Sequence, residues 1–171
     1  MGRLFILWSD VLYILIVMSP KKQQVDTKNA IVVKRGDYAN TLKEIVTGGF
    51  CPFCEEHLSK HHRQPLIYKS KYWLVTKNAW PYAGARFHFL FIARPHIETT
   101  EGMLPVMWAD FHKLYRKLVQ RNKIKGATLM IRSGDTKITG ASVNHLHAHL
   151  IVGVQRTNKT RLVNALVGFK K

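Results

Sequence analysis

Histidine recurs at every second position in Asn144-His145-Leu146-His147-Ala148-His149-Leu150-Ile151-Val152, with apolar residues between. A β-strand sends successive side chains to opposite faces. The spacing therefore predicts a strand with His145, His147 and His149 on one face, about 6.6 Å apart, and Leu146, Ala148 and Leu150 turned toward a core. A helix would scatter the same residues around its circumference. An imidazole titrates near neutrality. Held neutral with one nitrogen free, it can attack phosphorus, splitting one difficult displacement into two easier ones. Its neighbours can orient it, donate to phosphoryl oxygens or bind a metal. Immediately before the histidines, Gly140-Ala141-Ser142-Val143 offers backbone N–H groups and a hydroxyl to the same phosphate. The bland alternatives are a metal-buffering tract or histidines merely exposed on a strand.

The rest of the chain supplies a sheet and a helix. Pro65 to Lys69, Tyr72 to Lys77, Phe87 to Ala93 and Ala127 to Arg132 are rich in aromatic and β-branched residues and read as strands. From Pro105 to Lys125 the residues Met107, Trp108, Phe111, Leu114, Tyr115, Leu118 and Val119 recur at three and four positions, predicting a helix stopped by Gly126. Its other face, Lys113, Arg116, Lys117, Arg121 and Lys123, reads as a solvated surface. Asp37 to Val46 suggests a short helix closed by Gly48-Gly49, Glu55 to His62 a loop or frayed helical turn, and Ser133 to Ser142 a loop. Few antiparallel-type strands around one long helix indicate an α+β fold.

At 171 residues and 46% hydrophobic the chain reads as one globular domain. Residues 49–154 form its body, between a basic extension at 18–48 and a basic tail at 155–171 with a weak helical pattern. The apolar run in residues 1–17 is short of the roughly 20 residues needed to span a membrane and is broken by Asp10. We read it first as a start assigned upstream of Met18, then as a peripheral or anchoring helix. A net charge of +17 fits polyanionic company, whether nucleotides, nucleic acid or an anionic membrane; a merely solubilising surface fits it too. The two cysteines, in Cys51-Pro52-Phe53-Cys54, are too few for a disulfide-built secreted scaffold. In a reducing, cytoplasmic setting they read as half a zinc site or a redox pair, and His57, His61 and His62 are the nearest further donors.

His145-Leu-His147-Ala-His149-Leu-Ile-Val resembles the signature of the histidine triad (HIT) nucleotide hydrolases and transferases. The resemblance extends in family order through Gly140-Ala141-Ser142-Val143, Phe89-Leu90-Phe91-Ile92-Ala93-Arg94-Pro95-His96-Ile97 and Asn78-Ala79-Trp80-Pro81-Tyr82. It implies an antiparallel sheet of about five strands with the long helix packed on it. It also implies His147 as nucleophile, His149 on the phosphate and Ser142 assisting the leaving group. Backbone around Ser142 and Val143 would hold phosphoryl oxygens, Asn78 the ribose, and His88 a place behind the phosphate site. Where some members carry an Asn, this chain has Arg132, able to grip a further phosphate or to face solvent. In the zinc-bearing branch the Cys-x-x-Cys is completed by a histidine after the Phe89 strand and by the first triad histidine, here His96 and His145. That zinc would be structural, with no organic cofactor, and members are often homodimers. The competing reading is a zinc-stapled basic nucleic-acid-binding module using aromatics such as Tyr72, Trp73, Trp80 and Tyr82. It leaves the period-two histidines and the Gly-x-Ser-Val unexplained.

Overall fold

The computed structural model describes residues 24–31, 38–165 and 167–171; the readings of residues 1–17 lie outside these. Among the described residues no helix is long and apolar enough to cross a membrane. The elements are α1 (Thr27–Ile31), α2 (Tyr38–Gly48), α3 (Glu55–His61), β1 (Leu66–Lys69), β2 (Trp73–Lys77) and β3 (Phe87–Ala93). A 3-10 turn at Thr100–Gly102 follows, then α4 (Pro105–Arg121), β4 (Thr128–Arg132), α5 (Thr136–Thr139) and β5 (His147–Val152).

The strands form one antiparallel sheet in the order β1-β2-β3-β5-β4. β5 is thus paired on both sides, with His147 opposite Ile92 and Arg132, and His149 opposite Leu90 and Met130. Paired residues share a face, so a two-sided ladder fixes the backbone beneath both histidines. On the opposite face Trp73, Val75, Phe89, Phe91, Ala148 and Leu150 pack against Met107, Phe111, Leu114 and Leu118 of α4. Two polar ties hold that helix in place. Trp73 Nε1 donates to the Met107 carbonyl at 2.8 Å, and the Asp110 carboxylate accepts from Ser70 Oγ at 2.6 Å and Tyr72 N at 3.1 Å. The histidine face is covered in part by α3, whose Leu58 packs with Phe53, Leu74, Leu90 and Ile92.

The α+β architecture agrees with the sequence reading, and several local details depart from it. Glu55–His61 is a helix, its acidic first turn and basic last turn matching the helix dipole. α4 ends at Arg121, before Gly126, with Lys123 taking a positive φ of 50° just beyond. Trp108 is 41% exposed, so the apolar stripe of α4 is narrower than its periodicity suggests. Thr136–Thr139 is a short helix capped by Asp135 and closed by Gly140 at φ 69°, a left-handed conformation suited to glycine. Among the described residues of 155–171 there is no helix. Most consequentially, β5 starts at His147, so His145 precedes the strand.

Candidate active site and metal centre

His145 and His147 are both buried and only two residues apart, yet their rings are set oppositely. His147 Nδ1 lies 2.6 Å from the His145 carbonyl oxygen, which can only accept. The proton therefore sits on Nδ1 and the lone pair on Nε2. His145 places Nε2 at 2.6 Å from the Ala93 carbonyl, so its lone pair sits on Nδ1. Burial lowers the His147 pKa from 6.5 to about 4, with Arg132, His145 and His88 lowering it further and the His145 carbonyl opposing them. At neutral pH the ring is an uncharged base.

A relay of nitrogens fixes the next histidine. The Tyr82 backbone N–H donates to His88 Nδ1 at 3.1 Å, leaving the His88 proton on Nε2. That atom is 2.8 Å from His149 Nδ1, which therefore accepts and puts the His149 proton on Nε2. The Tyr82 ring stacks on His88 at 4.7 Å, and the Asn78 side-chain nitrogen is 3.1 Å from His88 Nε2. Asn78 is itself held by the Trp80 N–H on its side-chain oxygen at 2.9 Å.

These groups open on a cavity of about 180 Å³ lined by Asn78, Arg132, Ser142, Val143, His147 and His149. His88 lies behind His149 and outside the lining. Arg132 is buried rather than solvated: Nη1 donates to the Thr139 carbonyl and Nη2 to Tyr82 Oη at 3.2 Å. No Asp or Glu is among the described residues lining the cavity, which suits an anionic ligand. Sequence reasoning missed further lining residues, including Asn29, Ile45, Phe53, His62 and Phe169. Phe53 carried a signal, as the apolar residue inside Cys-x-x-Cys. Asn29 and Phe169 carried none.

On the other side of His145, Cys51, Cys54, His96 and His145 bring one donor atom each to within 4.8 Å of one another. Cys51 Sγ and Cys54 Sγ are each 3.4 Å from an imidazole Nδ1, of His145 and His96 respectively, and the two Nδ1 atoms are 3.2 Å apart. Tetrahedral zinc with Zn–N near 2.05 Å and Zn–S near 2.3 Å has N–N and N–S edges of about 3.3 and 3.5 Å. The residues present fit the ion. His96 Nε2 faces the Glu98 carboxylate at 4.0 Å, the placement expected of a ligating imidazole whose outer nitrogen bears the proton. Cys54 is poised as a thiolate, its pKa lowered by the Cys51 thiol and then by His145 and His96. The same contact, with burial, raises that of Cys51. The nearer histidines do not converge there: His62 binds Thr76 Oγ1 and the Lys77 carbonyl, while His57 and His61 lie against Phe50.

The fold thus sets a histidine-lined cavity without acidic residues among its described lining beside a Cys2His2 cluster. The chain belongs to the HIT family, whose domain model matches residues 59–156. Among solved structures it is similar to a HIT family hydrolase from Clostridium thermocellum, at 27% identity and a TM-score of 0.51, over 64% of this chain and 95% of that one. A HIT family hydrolase from Legionella pneumophila Philadelphia 1 is 24% identical, with a TM-score of 0.50 over 64% and 98% of the two chains. A histidine triad nucleotide-binding protein from Candida albicans is 17% identical, with a TM-score of 0.50 over 66% and 86%. The last two are likenesses of fold. Comparison with curated protein sequences gives no match.

Proposed function

We propose that the protein is a nucleotide hydrolase or nucleotidyltransferase that cleaves a nucleoside 5′-phosphoryl bond through a covalent intermediate on His147. The observation that carries this reading is the ring setting of His147, whose Nδ1–H donates to the His145 carbonyl and leaves Nε2 as the basic nitrogen. In the first step Nε2 attacks the phosphorus. A P–N bond forms, and the bond from phosphorus to the leaving group breaks. An amine leaving group takes up a proton from solvent as it departs. Water then attacks, and the P–N bond breaks with its electron pair returning to Nε2. The proton lost by the water passes to solvent, and the nucleotide departs while the imidazole regains its neutral form. An acceptor hydroxyl in place of water makes the reaction a transfer. His149, set as an Nε2–H donor, and the backbone around Ser142 and Val143 hold the phosphoryl oxygens. Asn78 holds the ribose, and the Ser142 hydroxyl hydrogen-bonds the departing atom.

Two assignments complete the reading. Arg132, whose Nη1 is 3.6 Å from the position a Gly140 side chain would occupy, lies against the loop bearing Ser142 and meets negative charge on the leaving group. Cys51, Cys54, His96 and His145 hold a structural zinc ion. When bound, it would tie the Cys-x-x-Cys segment to the residue that orients His147, supplying rigidity rather than chemistry. Substrates that fit are dinucleoside polyphosphates, nucleoside phosphoramidates and adenylylated molecules.

The test is intact-protein and peptide mass spectrometry after rapid acid-free quenching with a panel of such nucleotides. One nucleotidyl group on His147 is expected in the wild type, and none in His147→Ala. That variant should lose at least about 10³-fold in kcat while keeping its circular dichroism. Full turnover by His147→Ala would sink the mechanism.

A further inference from the structure

The Ser142 loop is held by a part of the chain that the family-matched residues 59–156 do not include. Val25 forms an antiparallel bridge with Val143. On either side of that bridge, Asp26 N donates to the Ser142 carbonyl at 2.9 Å and Asn144 N to the Gln24 carbonyl at 2.8 Å. Asn29, 7% exposed and on the cavity wall, donates through Nδ2 to two carbonyls, Thr136 at 2.9 Å and Ala141 at 2.8 Å. One amide thus spans α5 and the Gly140 turn, from the first residue of the helix to the residue before Ser142. The strap is itself secured. Val25, 2% exposed, packs with Ile45 and Phe50, while the Asp26 carboxylate accepts from Lys28 N at 3.0 Å and Asn29 N at 3.3 Å.

We infer that Gln24–Asn29 is a working part of the active site, with Asn29 a positioning residue that sets where the Ser142 hydroxyl and the Val143 backbone meet the phosphate. The loop lies outside the sheet, so the ladder that fixes His147 and His149 does not fix Ser142. The buried Ala141 carbonyl also depends on the Asn29 amide, and the half-buried Thr136 carbonyl shares it with Gly140 N; without the amide each loses a donor. A displacement of the order of 1 Å in a group aligned on the reacting atoms costs roughly 10²-fold in rate, with little effect on binding. The strap is therefore expected to act on kcat.

The inference rests on the role given to Ser142 above, and the experiment separates the two. In the full-length chain, turnover of a nucleoside 5′-phosphoramidate with a fluorogenic amine is measured for wild type, Asn29→Ala, Asn29→Asp, Asn29→Gln, Ser142→Ala and the Asn29→Ala/Ser142→Ala double variant. Leu118→Ala, in the α4 core, serves as a control of comparable destabilisation. Asn29→Ala and Asn29→Asp, neither able to donate, should lose about 10- to 50-fold in kcat with KM within about threefold. Asn29→Gln, which keeps the amide, should recover part of the loss. Adding Ser142→Ala to Asn29→Ala should cost no more than about tenfold, well short of the loss Ser142→Ala causes in the wild type, because a displaced hydroxyl has less left to lose. Hydrogen exchange gives a readout independent of activity: amides of Ser142–Asn144 should exchange at least about tenfold faster in Asn29→Ala, with β3 and β5 unchanged. An inactive wild type, or a fully active Ser142→Ala, would count against the enzymatic reading. Unchanged exchange, fully multiplicative losses, or an equal kcat loss in Leu118→Ala would overturn the strap.

Discussion

His145 and His147 are near-identical in burial, and each spends one ring nitrogen on a backbone carbonyl at 2.6 Å. They differ only in which nitrogen is spent. The Ala93 carbonyl accepts from the Nε2–H of His145 and turns its Nδ1 lone pair toward the thiols; the His145 carbonyl accepts from the Nδ1–H of His147 and leaves Nε2 basic. In the function proposed above, two chemically equivalent side chains thereby take separate tasks, one structural and one reactive. What divides them is the position of a carbonyl, which is a property of the backbone path rather than of the residue.

The largest effect that would break or sharpen this contrast falls on the metal side. Cys51→Ser should reduce bound zinc from about one per chain to near zero by atomic emission. Stability should fall by at least about 3 kcal/mol, roughly 6–12 °C in Tm for a chain of this size. His147→Ala should behave in the opposite way, losing turnover while its Tm moves by no more than about 3 °C. A Cys51→Ser protein with an unchanged melting temperature but no activity would collapse the distinction between the two histidines.

Comparable in size is a pH effect confined to His147. Its folded pKa of about 4 lies below the ordinary 6.5, so the unfolded chain takes up that proton first. Above pH 6.5 both states are neutral and the group is without consequence for stability. As pH falls from 6.5 to 4 the folded state loses ground, by roughly 3 kcal/mol from this one group. The catalytic counterpart is that kcat/KM should hold level through pH 6.5 and decline only toward pH 4. An acid limb at 6.5 in the pH–rate profile would mean an ordinary, solvated imidazole at the nucleophile's position. Burial is the largest cause of the shift, so the limb should move up when Phe53, packed edge-on to His147 at 5.1 Å, is replaced by Ala and water enters.

The same contrast explains what could be read in the sequence. Period-two histidines with apolar residues between them report a strand directly, and the β3, β4 and α4 patterns were equally local, so the α+β sheet was legible. The first residue of β5 was not. It is decided by where Ile92 and Arg132 stop offering ladder partners, which is information held by other strands. His145 therefore shares the pattern of the triad without sharing its strand. The Cys51–His145 approach spans 94 residues and was reachable only through family resemblance. Asn29 meets Ala141 across 112 residues from a segment with no periodic signal, and nothing in its neighbours announces it. Arg132 was legible as a departure but not in its burial, because Thr139 and Tyr82 converge on it only in the fold.

The smallest expected effect probes how far the division of tasks extends within the pocket, between Ser142 and Arg132. An amine cannot leave without a proton, so its departure depends on a hydrogen-bond donor at the leaving atom. A phosphate leaves readily as an anion but carries its charge away from the reacting phosphorus, so its departure depends on a fixed cation. Ser142→Ala should therefore lose about 10²-fold in kcat on a nucleoside phosphoramidate and no more than about threefold on a dinucleoside polyphosphate. Arg132→Gln, which keeps a donor for the Thr139 carbonyl but drops the charge, should show the reverse order, with about 10- to 10²-fold on the polyphosphate. Parallel losses on both substrates would assign Arg132 to the fold of the Gly140 turn instead of to the leaving group. A crossed pattern would extend to this pair the division proposed for the histidines: neighbouring groups kept to different work by what the backbone sets against them.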